Sequence, residues 1–560
     1  MTFNNKEIYE LIEKYALQNA VKYGTTPKPD AVIKKLLGEH KELRAEAKKI
    51  MPLIREELEK LNSMSSDESF ARLNAIAPEL IEELAERKEP ERGLPDLKVE
   101  GDVVMRFSPN PNGPPTLGSI RGIIVNSEYA KRYNGKFILR FDDTDPQTKK
   151  PMLEAYDFYL KDCEWLDTIP DEVIIASDRI DIYYEYAEKL IGMKKAYVCF
   201  CSAEEFKGYK DAKKQCPHRD LDPDENLKLW KEMIEGVYDD KEAVLRVKTD
   251  ISHPNPALRD WVAFRIVKAA HPRTGDKYCV WPMLDFESGL EDHILGVTHI
   301  IRGKDLRDSG NRQRFLYDHF GWVYPKTIHW GRMKIHEFGK FSTSSLKKEI
   351  ESGKYSGWDD PRLPTSCALK RRGIKPQAIR NFMLNLGVLE TDINLSLETL
   401  FSENKKVVDE IANRYFFVWD PVKIEIKGGT KVADPPIHPN KKEKRTIKIG
   451  SELYLCKKDI SELEPNDRIR LKDLYNIEIT SKDPLKAKFA GNEIKDKKII
   501  HWVPIDGVKV KVITPEGDIY GIGEPLIQKE IDMVVQFERF GFVRIDSVVD
   551  GTVVAYFTHK

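Results

Sequence analysis

The chain has 560 residues, of which 41% are hydrophobic and 33% charged, with a formal net charge of −1. That length allows several domains, while the near-neutral total argues against wholesale non-specific coating of nucleic acid. No run of about 18 apolar residues is available to cross a bilayer. In chain order, Ile8, Leu11, Ile12 and Tyr15, then Leu73, Ile76, Leu80 and Leu84, form apolar stripes that predict helices up to about Lys88. Met1-Thr2-Phe3-Asn4-Asn5-Lys6 carries no apolar signal region, so a cytoplasmic location is expected. Glu89 to Pro95 reads as a linker by its proline, glycine and charge content.

An α/β segment starts near Lys98. Val103 to Phe107 predicts a strand, and Pro109 to Pro115 a turn that can join neither helix nor sheet ladder. Ser119 is expected at the N-cap of a helix carrying Ile120, Ile123, Ile124 and Ala130, and Phe137-Ile138-Leu139 predicts a second strand. A helix that opens directly after a glycine-bearing turn offers free backbone N–H groups and a positive dipole end, a geometry suited to phosphate. Pro376 to Phe417 returns to helical periodicity. From Lys423 onward, short β-prone runs such as Val508 to Val512 and Thr552 to Phe557 predict one or two β-barrels. Lys441-Lys442-Glu443-Lys444-Arg445 and Lys486 to Lys498 are candidate basic surfaces for RNA, with a solvated loop as the plain reading of each.

Seven cysteines is a low, odd number and argues against a disulfide framework. Cys163, Cys279, Cys367 and Cys456 stand alone and read as small hydrophobes. Cys199, Cys201, Cys216 and His218 do not: two close pairs flank the fourteen-residue spacer from Ser202 to Gln215, which suits tetrahedral closure around Zn²⁺. Four protein ligands would leave no open position, so such a metal would be structural.

The segment Val103 to Asp145 resembles the first nucleotide-binding motif of class I aminoacyl-tRNA synthetases in their glutamyl/glutaminyl form. That family has an Arg-Phe strand, a Pro-x-Pro-x-Gly turn and a "HIGH" tetrapeptide, here Thr116-Leu117-Gly118-Ser119 without either histidine. Leu139 to Thr144 is similar to its LRFDDT block, and Gly296 to Gly303 to its GVTHxxRG strand. Lys340-Phe341-Ser342-Thr343-Ser344 stands where the family has "KMSKS", with Thr343 for the second lysine and Lys347 or Lys348 as candidate replacement charges. Trp358 to Thr365, Lys370 to Gly373, Asn404 to Val418, Ile500 to Val503 and Val535 to Arg539 extend the likeness across roughly Leu97 to His559.

The resemblance implies a Rossmann-like class I catalytic domain, an inserted acceptor-end domain, an N-terminal helical extension, a helical stem-contact region and C-terminal β-barrels. The corresponding ranges are 1–97 for the extension and 98–335 for the catalytic domain, with the zinc-containing insertion at about 196–280. Residues 336–420 would form the loop and stem-contact domain, and 421–560 the anticodon-binding barrels. It further implies ATP-dependent ligation of L-glutamate to tRNA(Glu) through a glutamyl-adenylate that forms only with tRNA bound, with tRNA(Gln) as a second candidate partner. Arg106 and Arg302 would bind substrate carboxylates and Asp142 the ammonium, with Ser108 and Leu284 at the pocket wall, Leu284 replacing a family tyrosine. Pro109, Asn112, Gly113, Thr116, Gly118, Ser119 and Lys340 would hold ATP with Mg²⁺. Thr116, Gly118, Ser119, Lys340, Ser342 and Ser344 would stabilise charge as pyrophosphate leaves. A monomer without membrane attachment is expected. Glutaminyl-tRNA synthetase and a non-catalytic tRNA-binding paralogue are the alternatives, the second motivated by the altered tetrapeptides.

Overall fold

The computed structural model describes residues 4–23, 27–61, 64, 66–81, 93–339, 342–494 and 498–560. The chain divides into two units, Met1–Arg92 and Gly93–Lys560. The division falls a few residues before Leu97, and Leu94 and Leu97 pack into the core of the second unit. In the first unit, helices α1 (Asn5–Tyr23), α2 (Pro29–Glu39), α3 (Ala47–Leu61) and α4 (Ser66–Ile76) surround a core of Ile12, Leu17, Leu36, Ile54 and Leu73. Leu84, and most of the linker, lie outside the described residues.

The second unit is built on a five-stranded parallel sheet. Its strands are β1 (Val104–Phe107), β2 (Lys136–Phe141), β3 (Glu172–Ile175), β8 (His299–Gly303) and β9 (Lys326–Trp330), in the order β3-β2-β1-β8-β9. The chain runs outward from β1 to β3 and resumes on β1's other side with β8, so the topology reverses between β1 and β8. Ligands in open α/β sheets bind at the carboxyl ends of strands at such a switch point. Helix α5 (Leu117–Arg132) crosses from β1 to β2 and buries Ile120, Ile123, Ile124 and Tyr129 against the sheet. Gly122 lets it approach closely, since a Cβ there would overlap the Phe107 ring.

Between β3 and β8 the chain forms a separate antiparallel sheet of β4 (Ala196–Cys199), β5 (Val244–Val247), β6 (Val262–Ile266) and β7 (Val280–Pro282), in that order, over its own aromatic core. The region after Pro376 is helical at Pro376–Leu386 and Leu397–Val408. The helical periodicity expected up to Phe417 stops earlier, because Arg414–Tyr415 and Phe417–Trp419 are strands that close the last sheet.

Two seven-stranded barrel-like sheets follow. The chain places two short strands in the more C-terminal sheet, builds the other between Pro421 and Pro504, then returns to complete the first. Where they meet, Arg445 is fully buried and donates to Glu524 at 2.8 and 3.0 Å. Burial raises Glu524 to about 7 against the pull of Arg445. Arg445 therefore leaves the candidate basic surface, whereas Lys441, Lys442 and Lys444 are exposed. Lys486 and Lys488 pair with Glu425 and Glu478, and the stretch from 495 to 497 lies outside the described residues.

His501 sits beside this junction, stacked on Phe416 at 5.1 Å between ring centres. Burial, then the Arg539 and Lys472 charges, push it down to about 3. It is therefore neutral in the fold, whereas the unfolded chain protonates it below about 6.5. The stability this gives is complete above that value and is lost as pH falls toward the folded value. Relative to a His501→Gln variant, the wild type should lose about 1.4 kcal/mol per pH unit between pH 6 and 4. Urea unfolding at several pH values checks this; parallel pH profiles for the two proteins would contradict it.

Candidate functional site

Three strand ends meet at the switch point. β1 delivers Arg106 and Ser108, the end of β2 delivers Asp142, and β8 delivers Arg302. With Leu284, at the start of the helix Leu284–Ile294, these residues line one cavity of about 210 Å³. Phe107, Ile301 and Trp330 supply its apolar wall. Leu284 is 44% exposed and stands at the mouth.

Below the cavity lies a charge network that the motifs did not reveal. Arg106 donates from Nε and Nη2 to the two carboxylate oxygens of Asp292, at 2.9 and 3.0 Å. Arg140, fully buried on β2, donates to the same Asp292 at 2.8 Å, to Asp142 at 2.6 and 3.3 Å, and to Ser288 Oγ at 2.8 Å. Burial alone would raise the Asp292 carboxyl, but Arg106 and Arg140 outweigh it and hold the group at about 2. Ser288 and Asp292 are four residues apart on one helix and share a face. That spacing was visible in the sequence, but their partners on β1 and β2 were not.

Other polar atoms at the site lack partners. Ser108 Oγ and Arg302 Nε are buried without a hydrogen bond, as is Oε1 of Glu287. Glu287 accepts from Thr144 through its other oxygen, and burial, reinforced by Asp142, raises it well above the usual carboxylate range. Burial lowers Arg302 from the ordinary guanidinium value. Of these three residues Ser108 and Arg302 line the cavity, and unsatisfied polar atoms there cost free energy unless an occupant satisfies them, which marks the cavity as built for a polar ligand.

The proline-rich turn borders the cavity, because Asp142 donates its backbone N–H to Pro109 O at 3.0 Å. Farther along, Asn112 Nδ2 donates to Ser344 Oγ at 3.5 Å. A Cβ at Gly113 would overlap the Thr343 methyl and lie 3.1 Å from the Trp358 ring. The turn and the Ser342–Ser344 segment, distant in sequence, are thus packed together. Ser342 caps the helix Thr343–Glu351, accepting the Ser345 N–H at 3.1 Å, with Lys347 and Lys348 exposed on that helix. Lys340 lies outside the described residues.

The N-cap of α5 is Thr116, not Ser119. Thr116 forms a β-bridge to Thr365, and the adjoining backbone bonds Leu117 N–H to Pro364 O and Ser366 N–H to Pro115 O fix where the helix begins. Ser119 falls within the first turn and accepts from the Tyr159 hydroxyl at 3.3 Å. Gly118 is exposed in that turn, with room for a Cβ, so its position is open to a ligand.

A second constellation lies on the inserted sheet. The ligand atoms of Cys199, Cys201, Cys216 and His218 all fall within 4.8 Å of one another. Cys199 Sγ and Cys216 Sγ are 3.9 Å apart, and Cys201 Sγ and His218 Nδ1 are 3.5 Å apart. A tetrahedron with metal–sulfur bonds of about 2.3 Å has edges of about 3.8 Å, so the donor set fits one thiophilic ion. Of the remaining cysteines, Cys163 and Cys456 are buried and Cys279 and Cys367 half-buried, all as free thiols. Among the described residues no helix is long and apolar enough to cross a membrane.

Comparison with known proteins gives three family matches. Residues 102–410 match the catalytic domain of tRNA synthetases class I (E and Q), and residues 412–494 and 499–546 match two anticodon-binding domains of the same group. The glutamate–tRNA ligase of Methanococcoides burtonii is 60% identical over 560 residues, covering 98% of each chain. That of Methanosarcina mazei is 57% identical over 572 residues, covering 100% of each. A solved glutamate tRNA ligase from Elizabethkingia meningosepticum, in complex with its amino acid, is 21% identical with a TM-score of 0.39, covering 56% of this chain and 71% of that one.

The network beneath the cavity should dominate local stability. Asp292→Asn leaves Arg106 and Arg140 buried without their shared counter-charge, at an expected cost of about 3–5 kcal/mol. Urea unfolding of the two proteins measures it, and a loss below about 1 kcal/mol would show that the network is not rigid.

Proposed function

The chain belongs to the class I tRNA synthetases of the E and Q type, in their archaeal glutamate form, and on that premise we propose how its residues carry out ATP-dependent ligation of glutamate to tRNA(Glu). Arg302 and Arg106 bind the substrate's carboxylates and Asp142 its ammonium, with Ser108 and Leu284 bounding the pocket. The observation that carries this assignment is the convergence of all five residues on one small cavity. The charges lining it agree: Arg106 and Arg302 against Asp142 leave one positive charge in excess, while the buried Arg140 and Asp292 beneath offset one another, which suits a substrate of net charge −1.

ATP lies along the turn and the start of α5. Pro109, Asn112, Gly113, Thr116, Gly118 and Ser119 approach it from one side and Ser342 and Ser344 from the other, with Lys340 assigned to the phosphates by the motif alone. The packing of Gly113 on Thr343 supports this placement, since it brings both motifs to one locus. Hydroxyls at Thr116, Ser119 and Thr343 keep hydrogen-bonding capacity where the family has histidines and a lysine. A substrate carboxylate oxygen attacks the α-phosphorus, the bond to the bridging oxygen breaks, and pyrophosphate leaves with the electron pair. A ribose hydroxyl of the terminal adenosine then attacks the mixed anhydride, releasing AMP and a proton. The protein's part is positioning and charge stabilisation.

Mg²⁺ accompanies ATP and supplies counter-charge to its phosphates. Zn²⁺ at Cys199, Cys201, Cys216 and His218 would supply a structural cross-link, supported by the fit of the ligand spacings to a tetrahedron. The protein acts in the cytoplasm as a monomer.

ATP–pyrophosphate exchange tests the reading. Exchange is expected with glutamate and tRNA(Glu) together and not with either alone; parallel aminoacylation arms with tRNA(Gln) and with glutamine define partner and substrate range. Absence of exchange under every condition, with tRNA still bound, would overturn it. Elemental analysis of the purified chain should find about one zinc per molecule, falling well below half in Cys216→Ser. An equal metal content in the two proteins would remove zinc from the quartet.

A further inference from the structure

Arg302 differs from the other guanidiniums around the cavity in what holds it. Asp292 stands 4.0 Å from its Nη2, but both Asp292 oxygens are already taken by Arg106, and one also by Arg140. Asp285, whose charge also acts on Arg302, accepts from Arg312 at 2.6 Å and from Ser309. Arg302 is held instead by a neutral group: its Nη1 donates to Gln313 Oε1 at 3.0 Å. The same oxygen accepts the Tyr324 hydroxyl at 2.7 Å. Gln313 is buried on the helix Arg307–Phe320, and two donors converging on one atom fix which end of its amide faces Arg302.

We infer that Gln313 is a specificity-determining positioning residue: it orients Arg302 toward the cavity without neutralising it, so that the charge remains for an anionic substrate side chain. A carboxylate here would hold the guanidinium equally well but would satisfy its charge within the protein. An amide gives orientation alone. The cavity then discriminates an acid from its amide through a group that does not itself carry the charge. This rests on the reading of the cavity as the glutamate site, and that reading is tested separately by the glutamate KM of the unaltered enzyme.

The decisive variant is Gln313→Glu in the full chain, assayed by aminoacylation of tRNA(Glu) with glutamate and with glutamine. The glutamate KM should rise about tenfold or more, and the preference for glutamate over glutamine should fall by a similar factor. Because the polar partners of Gln313 are Arg302 and Tyr324 and neither is a residue assigned to ATP, the KM for ATP and kcat with saturating glutamate should stay within about twofold. A folded variant with unchanged glutamate KM and unchanged preference overturns the inference. So does a loss shared equally by the ATP KM and kcat, which is the mark of general damage. If circular dichroism shows that this variant does not fold, Tyr324→Phe decides. Removing the hydroxyl that fixes the amide should raise the glutamate KM severalfold with the ATP KM unmoved, and an unaltered glutamate KM overturns the inference.

Discussion

One buried carboxylate organises the amino-acid end of this molecule. Asp292 receives Arg106 from β1 and Arg140 from β2, and stands near Arg302 on β8. Three guanidiniums cannot share a small buried volume without counter-charge, and an isolated carboxylate cannot remain ionised there. Each side makes the other tolerable. The result is a rigid layer of fixed charge under the cavity floor, set before any substrate arrives, and preorganised charge of this kind is what stabilises anionic groups most effectively.

The nucleotide end depends on backbone rather than charge. Thr116 bridges to Thr365, and the short helix Ser366–Arg371 runs from that bridge toward the barrels. At its far end Arg372 donates to Phe557 O and Thr558 O, while Arg371 pairs with Asp359 and with Asp546. Asp359 follows Trp358, which packs at Gly113. A single strut thus touches the start of α5 at one end and the last barrel sheet at the other.

The two barrel-like sheets meet through charge that is also buried. Arg445 and Glu524 pair across the junction, with Phe416 donating its backbone N–H to Glu524 at 2.6 Å. The interrupted path of the chain makes this join internal. Residues 414–419 belong to the sheet that is completed only after Pro504, so the sheet built from 421–504 is inserted within the chain path of the other.

Much was legible in the sequence because it is encoded locally. Proline and glycine fixed the turn at Pro109 to Pro115, β-prone runs marked β1 and β2, and the spacing of Cys199, Cys201, Cys216 and His218 announced a four-donor cluster. The ordered series of motifs identified the family, and the five predicted cavity residues Arg106, Ser108, Asp142, Leu284 and Arg302 came from that likeness. What sequence could not decide is what depends on pairing across the fold. Ser119 looked like a cap until the bridge from Thr365 placed the helix start at Thr116. Arg445 looked like part of a basic surface until Glu524, far along the chain, buried it. Asp292 and Gln313 carry no motif, since their roles consist in which arginine each one faces. Local chemistry determines where a chain turns and which reactive groups it owns. Only the tertiary structure decides which charges are neutralised and which are left free, because that is settled by distances between residues that are far apart along the chain.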